Sequence, residues 1–404
     1  MDLKSGYPFW AVRNGLMHAF PRLEADVACD VLVVGGGITG ALIADELATH
    51  GHSVVVVEQR DIAWGSTAAS TALLQYEIDT HLVDLTKRYG EDDAALAYRA
   101  CGESIDLLGE VARGLRDVDF ERADSLYYAS RKRDVASLRE EYEARRRHGF
   151  DIEYLESEPL KAEYLIDAPA ALRSKQAAQV DPYRFASQLL ARLVKRGAQV
   201  FDRTAILRLD ARPRDVVATT GNGARIRARH VVIAAGYASQ HWLPRQVARN
   251  RSSYAFVTDP ISEAELGPLT HILVWETARP YLYMRTTGDR RLLIGGEDDD
   301  VDVPARRDAR VEKKARVLMK QIAKIRPDLD LTPTFSWAGT FAETDDGLPF
   351  FGPHAATGTR VHFAMAYGGN GITYSMLGAG LLRALIERRK HPLAALFSFD
   401  RLDR

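Results

Sequence analysis

Residues 35–40 read Gly35-Gly36-Gly37-Ile38-Thr39-Gly40, and further on a carboxylate, Glu58, closes a run of four valines. The glycine loop follows a predicted strand over 30–34 and opens a predicted helix over 40–50 that stops at Gly51. In that setting Gly35 permits a tight turn, Gly37 lets backbone N–H groups approach a pyrophosphate, and Gly40 lets the helix lie close to the sheet. Ile38 and Thr39 then open a helix whose N-terminus faces phosphate charge. Glu58 ends a second predicted strand over 53–57, placed to accept hydrogen bonds from both hydroxyls of a ribose. The chemistry is dinucleotide binding. A bare glycine turn would leave strand, helix and acid without a common purpose.

Three further features extend the ligand beyond a nicotinamide dinucleotide. Gln59 and Arg60 follow the acid, with Arg60 able to reach back to the adenosine or its phosphates. Residues 65–71 then supply small residues and hydroxyls (Ser66, Thr67, Ser70, Thr71) where a longer cofactor would continue. Near the C-terminus Gly368-Gly369-Asn370-Gly371-Ile372-Thr373 lies between a predicted strand and helix, offering a second set of backbone amides. A helix N-terminus aimed at a flavin ring would stabilise its anionic reduced form. Together these favour FAD. Gly221-Asn222-Gly223 and Gly378-Ala379-Gly380 lack the third glycine of another dinucleotide loop, so electrons are expected from an organic substrate. A flavin hydroxylase, which can manage without that second loop, stays open.

Candidate substrate residues alternate along the chain. Tyr281, Tyr283 and Arg285 share one face of a predicted strand, so two phenols and a guanidinium would meet an anionic or polar substrate end if that face looks into a cavity. The competing reading is an exposed strand face. Tyr254 and Trp275 are similar cases, with core packing as the alternative. His81, His241 and His354 lie near cofactor segments and could act as a base, though a structural role is the favoured reading for each. The histidines lack metal-ligand spacing, so no metal is expected. Asp298-Asp299-Asp300-Val301-Asp302 lacks the glycine and distal glutamate of a calcium loop and reads as a solvated loop. Arg145-Arg146-Arg147-His148 lies one turn from Glu140, Glu141 and Glu143 and reads as a solvated helix face.

The elements that must position these groups fill 404 residues, 46% hydrophobic and 27% charged, with a net charge of −1. That balance argues against nucleic-acid binding, and no apolar run reaches transmembrane length. Two cysteines, Cys29 and Cys101, give no disulfide framework, so a cytoplasmic setting is expected. Residues 1–29 read as an aromatic-containing leader on the surface of the main domain. Residues 90–150 read as largely helical, and Asp181-Pro182 starts a helix that runs to Arg196. Strand-like segments follow at 199–207, 215–220, 225–233 and across 252–297, the last with a hairpin at Gly288-Asp289. Dinucleotide-type segments at the start, middle and end imply two interleaved domains.

These pieces resemble the D-amino-acid oxidase-like family of flavoproteins, which includes glycine oxidase, sarcosine oxidase and γ-glutamylputrescine oxidase. Its markers here are the glycine loop with Glu58, the 65–71 segment, Val180-Asp181-Pro182, and Val231-Val232-Ile233-Ala234-Ala235-Gly236. Leu293-Ile294-Gly295-Gly296, Asp346-Gly347-Leu348-Pro349 and the 368–373 loop follow in order. The resemblance implies an α/β fold in which a Rossmann-like FAD-binding domain (1–88, 176–245 and 334–404) interleaves with an α+β substrate domain (89–175 and 246–333) built on a mixed β-sheet. It places Ala205 near the adenine, Ala235 and Gly236 beside the pyrophosphate, and Leu74, Gln75, Gly339, Gly369 and Thr373 among the residues around the cofactor. The 339–344 stretch has no cysteine, so the FAD is expected to be non-covalent. Three familiar carboxylate hooks are replaced by Phe341, Gly369 and Thr373.

The implied activity is that of an FAD-dependent oxidoreductase acting on the C–N bond of an amine or N-substituted amino acid. Hydride passes to flavin N5, the imine is hydrolysed, and O₂ or another acceptor takes the electrons. Oxidation of a 2-hydroxy acid, or a flavin-binding subunit without its own turnover, are the competing functions.

Overall fold

The computed structural model describes residues 2–301, 303–365 and 367–403. Two sheets organise the chain. The first runs in the order Phe350–Pro353, Val361–Met365, Arg225–Ile233, Val27–Val34, Val54–Val57, Gln199–Phe201. Its five strands from Val361–Met365 onward are mutually parallel. The hairpin Ile206–Ala211 and Val216–Thr220 is appended to Arg225–Ile233. All four residues of Val54–Val57 are buried, as a parallel strand covered on both faces requires. The helices Ile38–Thr49, Pro182–Lys195 and Gly371–Ile386 pack together over this sheet. Asp181 caps the second of them, its Oδ1 accepting from the backbone N–H of Tyr183 and Arg184 at 3.0 and 2.9 Å.

Parallel strands bring their carboxyl ends to one edge. There the chain leaves Val34 into the glycine loop, Val57 into Glu58, Phe201 toward Thr204, and Ile233 into Ala234. Such an edge is where open α/β sheets hold ligands.

The second sheet is mixed, in the order Phe335–Glu343, Arg249–Pro260, Arg291–Asp299, Tyr283–Thr286, Ile272–Glu276, Glu121–Tyr128, Ala170–Gln179, Leu73–Gln75. Ile152–Glu156 pairs beside Ala170–Gln179. Only Ile272–Glu276 and Glu121–Tyr128 run parallel among the described pairings. The expected hairpin at Gly288-Asp289 joins Tyr283–Thr286 to Arg291–Asp299. The largely helical reading of 90–150 holds, with one strand that it did not include. Helices Glu91–Arg113 and Val135–Arg147 flank the strand Glu121–Tyr128, which is central and takes its conformation from neighbours on both sides rather than from its own periodicity.

Two more expectations change. Arg145 is fully buried, its Nε 2.7 Å from Glu141 Oε1 and its Nη1 3.7 Å from Glu77, so the basic run is only in part a solvated face. The charge is tolerated because two carboxylates accompany it. The leader covers the surface in part and supplies core residues as well. In the helix Phe9–Asn14, Trp10 is 1% exposed and its indole N–H donates to the Ser70 carbonyl at 2.7 Å. Phe9 stacks on Trp337 with centroids 6.2 Å apart. Leu3 O accepts from Thr340 N, and Ser5 N donates to Ala338 O. Among the described residues no helix is long and apolar enough to cross a membrane.

Candidate functional site

A cavity of about 560 Å³ is walled by the carboxyl edge of the first sheet and by strands of the second. Its first end is built on close backbone approach. Gly35 has φ +121°, and a Cβ there would lie 2.3 Å from the Ala234 carbonyl oxygen. A Cβ at Gly40 would lie 1.9 Å from the Gly35 oxygen, so Gly40 stands behind the wall and fixes how near the helix comes. Helix Ile38–Thr49 has no side-chain cap, and Thr67 Oγ1 accepts from Ile38 N at 3.0 Å.

Glu58 is held in place by backbone donors, Oε2 accepting from Gly36 N at 2.9 Å and Oε1 from Arg60 N at 3.0 Å. Burial pushes its carboxyl up, opposed by those amides and by the Arg60 guanidinium. A carboxylate has about four acceptor sites, so this one keeps capacity for ligand hydroxyls. Ser66 Oγ and Arg60 Nε are buried without partners, and both residues line the cavity. Orphaned donors, an uncapped helix and a cradle that Cβ atoms would fill suit the ribose and pyrophosphate of FAD.

The remaining candidates fall into two groups. Gly37, Thr39, Gln59, Ser70, Thr71, Gln75, Ala235, Gly236 and Gly339 reach the wall, as do Gly369, Asn370, Gly371 and Ile372 at the start of helix Gly371–Ile386. Leu74, Ala205 and Thr373 stand behind it. Leu74 points into the core between wall residues Leu73 and Gln75, and Ala205 lies between Thr204 and Ile206. Thr373 Oγ1 donates to the Gln75 carbonyl at 3.2 Å.

At the other end Tyr281, Tyr283 and Trp275 line the cavity. Trp275 stacks on Tyr127 with centroids 3.7 Å apart, and Tyr281 meets both Trp275 and Tyr283. Burial pushes all three Tyr254, Tyr281 and Tyr283 phenols up, so they stay neutral donors. Tyr254 reaches the wall, but its hydroxyl donates to Asp299 at 3.2 Å. Arg285 does not reach the wall. It shares the pleat face with Tyr283 but lies deeper, where Nε donates to the Thr71 carbonyl at 2.6 Å and Nη2 to the Val180 carbonyl at 2.9 Å. Its guanidinium sits 5.2 Å over the Trp10 ring. It clamps backbone and is not aimed at substrate. Tyr281 precedes the strand, which begins at Tyr283.

Three carboxylates that sequence reasoning missed as site residues, Glu77, Asp79 and Asp298, complete this end. Asp79 Oδ2 accepts from Gly369 N at 2.9 Å, and Tyr281 Oη donates to its Oδ1 at 3.3 Å. Gln75, Glu77 and Asp79 all line the cavity while Tyr76 and Ile78 are core, an alternation readable in advance. Asp298 also lines the cavity, and its Oδ1 is buried without a hydrogen bond. This corrects the solvated-loop reading of 298–302. Strand Arg291–Asp299 carries Asp298 inward, and Asp299 binds Tyr254 and Arg310. Asp300 is exposed, and Asp302 lies outside the described residues. Of the histidines, His241 reaches the wall. His81 bonds the Tyr127 hydroxyl at 2.9 Å, and His354 Nδ1 accepts from Ala356 N.

Known proteins give this arrangement its context. The sequence is 24% identical to a putative Rieske 2Fe-2S iron-sulfur protein YhfW of Bacillus subtilis (strain 168), over 97% of this chain and 75% of that protein. It is 27% identical to gamma-glutamylputrescine oxidoreductase of Escherichia coli (strain K12), over 94% of this chain and 88% of that one. The crystal structure of glycine oxidase from Geobacillus kaustophilus superposes with a TM-score of 0.75 at 23% identity, covering 92% of this chain and 98% of that chain. The DAO family model, described as FAD dependent oxidoreductase, matches residues 30–385. With its glycine loop, anchored acid and two-sheet cavity, the chain belongs to the DAO family of FAD-dependent oxidoreductases, and FAD is its cofactor.

Proposed function

We propose that this oxidoreductase oxidises the C–N bond of an amine or N-substituted amino acid. The observation that carries the reading is the continuity of one cavity from the dinucleotide cradle at Gly35 and Glu58 to a pocket of rings beside the Gly371–Ile386 N-terminus. Similarity to gamma-glutamylputrescine oxidoreductase and to glycine oxidase supports the same class. When bound, FAD supplies the hydride acceptor at N5 and the route by which an electron pair leaves to O₂ or another acceptor. The substrate must arrive as a neutral amine. It gives up a C–H hydride and an N–H proton, forms C=N, and takes up water to yield a carbonyl compound and the smaller amine. Tyr281 and Tyr283 shape the space that orients it, while Trp275 and Phe341 exclude water. The N–H proton leaves to water from the iminium, so no dedicated base on the wall is required.

The same proposal takes Gly35, Glu58, Ser66, Thr67 and Asn370 as cofactor-holding residues. It keeps the division into an FAD domain (1–88, 176–245, 334–404) and a substrate domain (89–175, 246–333), a non-covalent flavin, and a cytoplasmic location. Neither Cys29 nor Cys101 lines the cavity, which supports non-covalent attachment. Anaerobic mixing of the FAD-loaded protein with amines, N-methyl amino acids and 2-hydroxy acids tests the reading. Bleaching of the flavin band by amines is the expected result; bleaching by hydroxy acids alone would replace it with alcohol oxidation. Readmitting air distinguishes oxidase from dehydrogenase by the speed of recovery.

A further inference from the structure

The substrate end of the cavity has a charge character of its own. Asp79, Glu77 and Asp298 line it, and Glu343 lies close enough to Asp298 to push its carboxyl up. Asp79 and Asp298 both act on the Tyr281 phenol, so carboxylates and rings share one space. Among the described wall residues the guanidinium or ammonium groups reduce to Arg60, which belongs to the Glu58 end. The nearby cations already have partners, Arg279 among them at the edge of the site. Arg251 pairs with Asp300 and Glu343. Arg279 lies 4.6 Å over the Tyr281 ring, is exposed, and donates to the Asp79 backbone carbonyl. Arg285 is spent on Thr71 and Val180.

An acid with an orphaned buried oxygen, beside three aromatic rings and without a cation on the wall, is the arrangement that binds an ammonium group. The carboxylate supplies the counter-charge and the rings supply cation–π attraction. An α-carboxylate placed there would meet repulsion and lack a donor fork. Resting on the amine-oxidising reading above, we infer that Asp79 and Asp298, with Trp275, Tyr281 and Tyr283, bind a second cationic nitrogen of the substrate. The substrate class is then a diamine or polyamine rather than an amino acid held by its carboxylate. Burial holds the Asp298 carboxyl at about 7, and a cation beside it compensates that buried charge.

The test uses the FAD-loaded protein, anaerobic, titrated with 1,4-diaminobutane, n-butylamine and 4-aminobutanoate. Binding is read from perturbation of the flavin absorption band and from the melting temperature; oxidation is read separately as bleaching. The diamine is expected to bind about tenfold or more tightly than the monoamine, with the aminobutanoate weakest. Asp298→Asn and Asp79→Asn should each bring the diamine-to-monoamine ratio toward one. Asp106→Asn, on an exposed helix face, should leave it intact. Equal affinities in the native protein, a ratio that survives both cavity substitutions, or tightest binding of the aminobutanoate would each overturn the inference. If the diamine binds selectively but no amine bleaches the flavin, cation recognition stands and amine oxidation fails. If monoamines bleach it without diamine preference, the reverse holds.

Discussion

Asp298 has an effect on stability that can be measured apart from any substrate. Its carboxyl is raised from 3.8 to about 7 by burial and by the charges of Glu343 and Asp79, against the pull of Arg251 and the Ser253 hydroxyl. Between those values the folded protein holds a proton that the unfolded chain has lost. The stabilising contribution is therefore complete below about pH 4 and vanishes as pH rises through 7. Asp298→Asn removes the buried charge, so it should stabilise the protein at pH 8, by on the order of 1–3 kcal/mol, and change little at pH 4. Thermal melts at the two values decide it; an equal effect at both would place the carboxyl in water. Arg285 should behave in the opposite way. Arg285→Met leaves the Thr71 and Val180 carbonyls without donors, costing about 2–4 kcal/mol at every pH and loosening FAD, with no selective effect on diamine affinity. A rise in KM confined to one substrate class would instead make Arg285 a substrate residue.

At the scale of elements, the glycine loop and its helix were legible because the loop's requirements are local. A positive φ at Gly35 and contact between Gly40 and the Gly35 oxygen leave room for no other residue. Gly35→Ala should therefore abolish FAD retention on gel filtration, and a variant that keeps its flavin would contradict the close approach to Ala234. The strand Arg225–Ile233 and the helix Pro182–Lys195 were equally readable, one from alternation and the other from its Asp-Pro start. Strand Glu121–Tyr128 was not. Its burial pattern is irregular at the start and continuous at the end, and pairing with Ala170–Gln179 and Ile272–Glu276 decides its conformation. The acidic pocket was hidden for a related reason. A run of aspartates looks solvated until the strand that carries Asp298 inward is known, and Arg145 looks like surface charge until Glu77 arrives beside it from a distant segment.

At the scale of the whole molecule, residues 3–14 tie the second sheet to the cavity. Leu3 lines it, Trp10 holds the Ser70 carbonyl, and residues 3–5 pair with strand Phe335–Glu343. Trp10→Ala should cost about 3–5 kcal/mol and release FAD at a lower temperature than it unfolds the Val27–Val34 sheet, followed by flavin fluorescence alongside circular dichroism. Coincident transitions would show that the leader does not act on the cavity separately. That pairing also sets an order of events in time. Leu3 and Ser5 leave the ribosome well before their partners Thr340 and Ala338. The pocket wall can close only after strand Phe335–Glu343 has emerged, and helix Gly371–Ile386 follows it. Flavin loading is thus tied to the synthesis of that strand and helix, and a translation product cut before them would be colourless however well its glycine loop had folded.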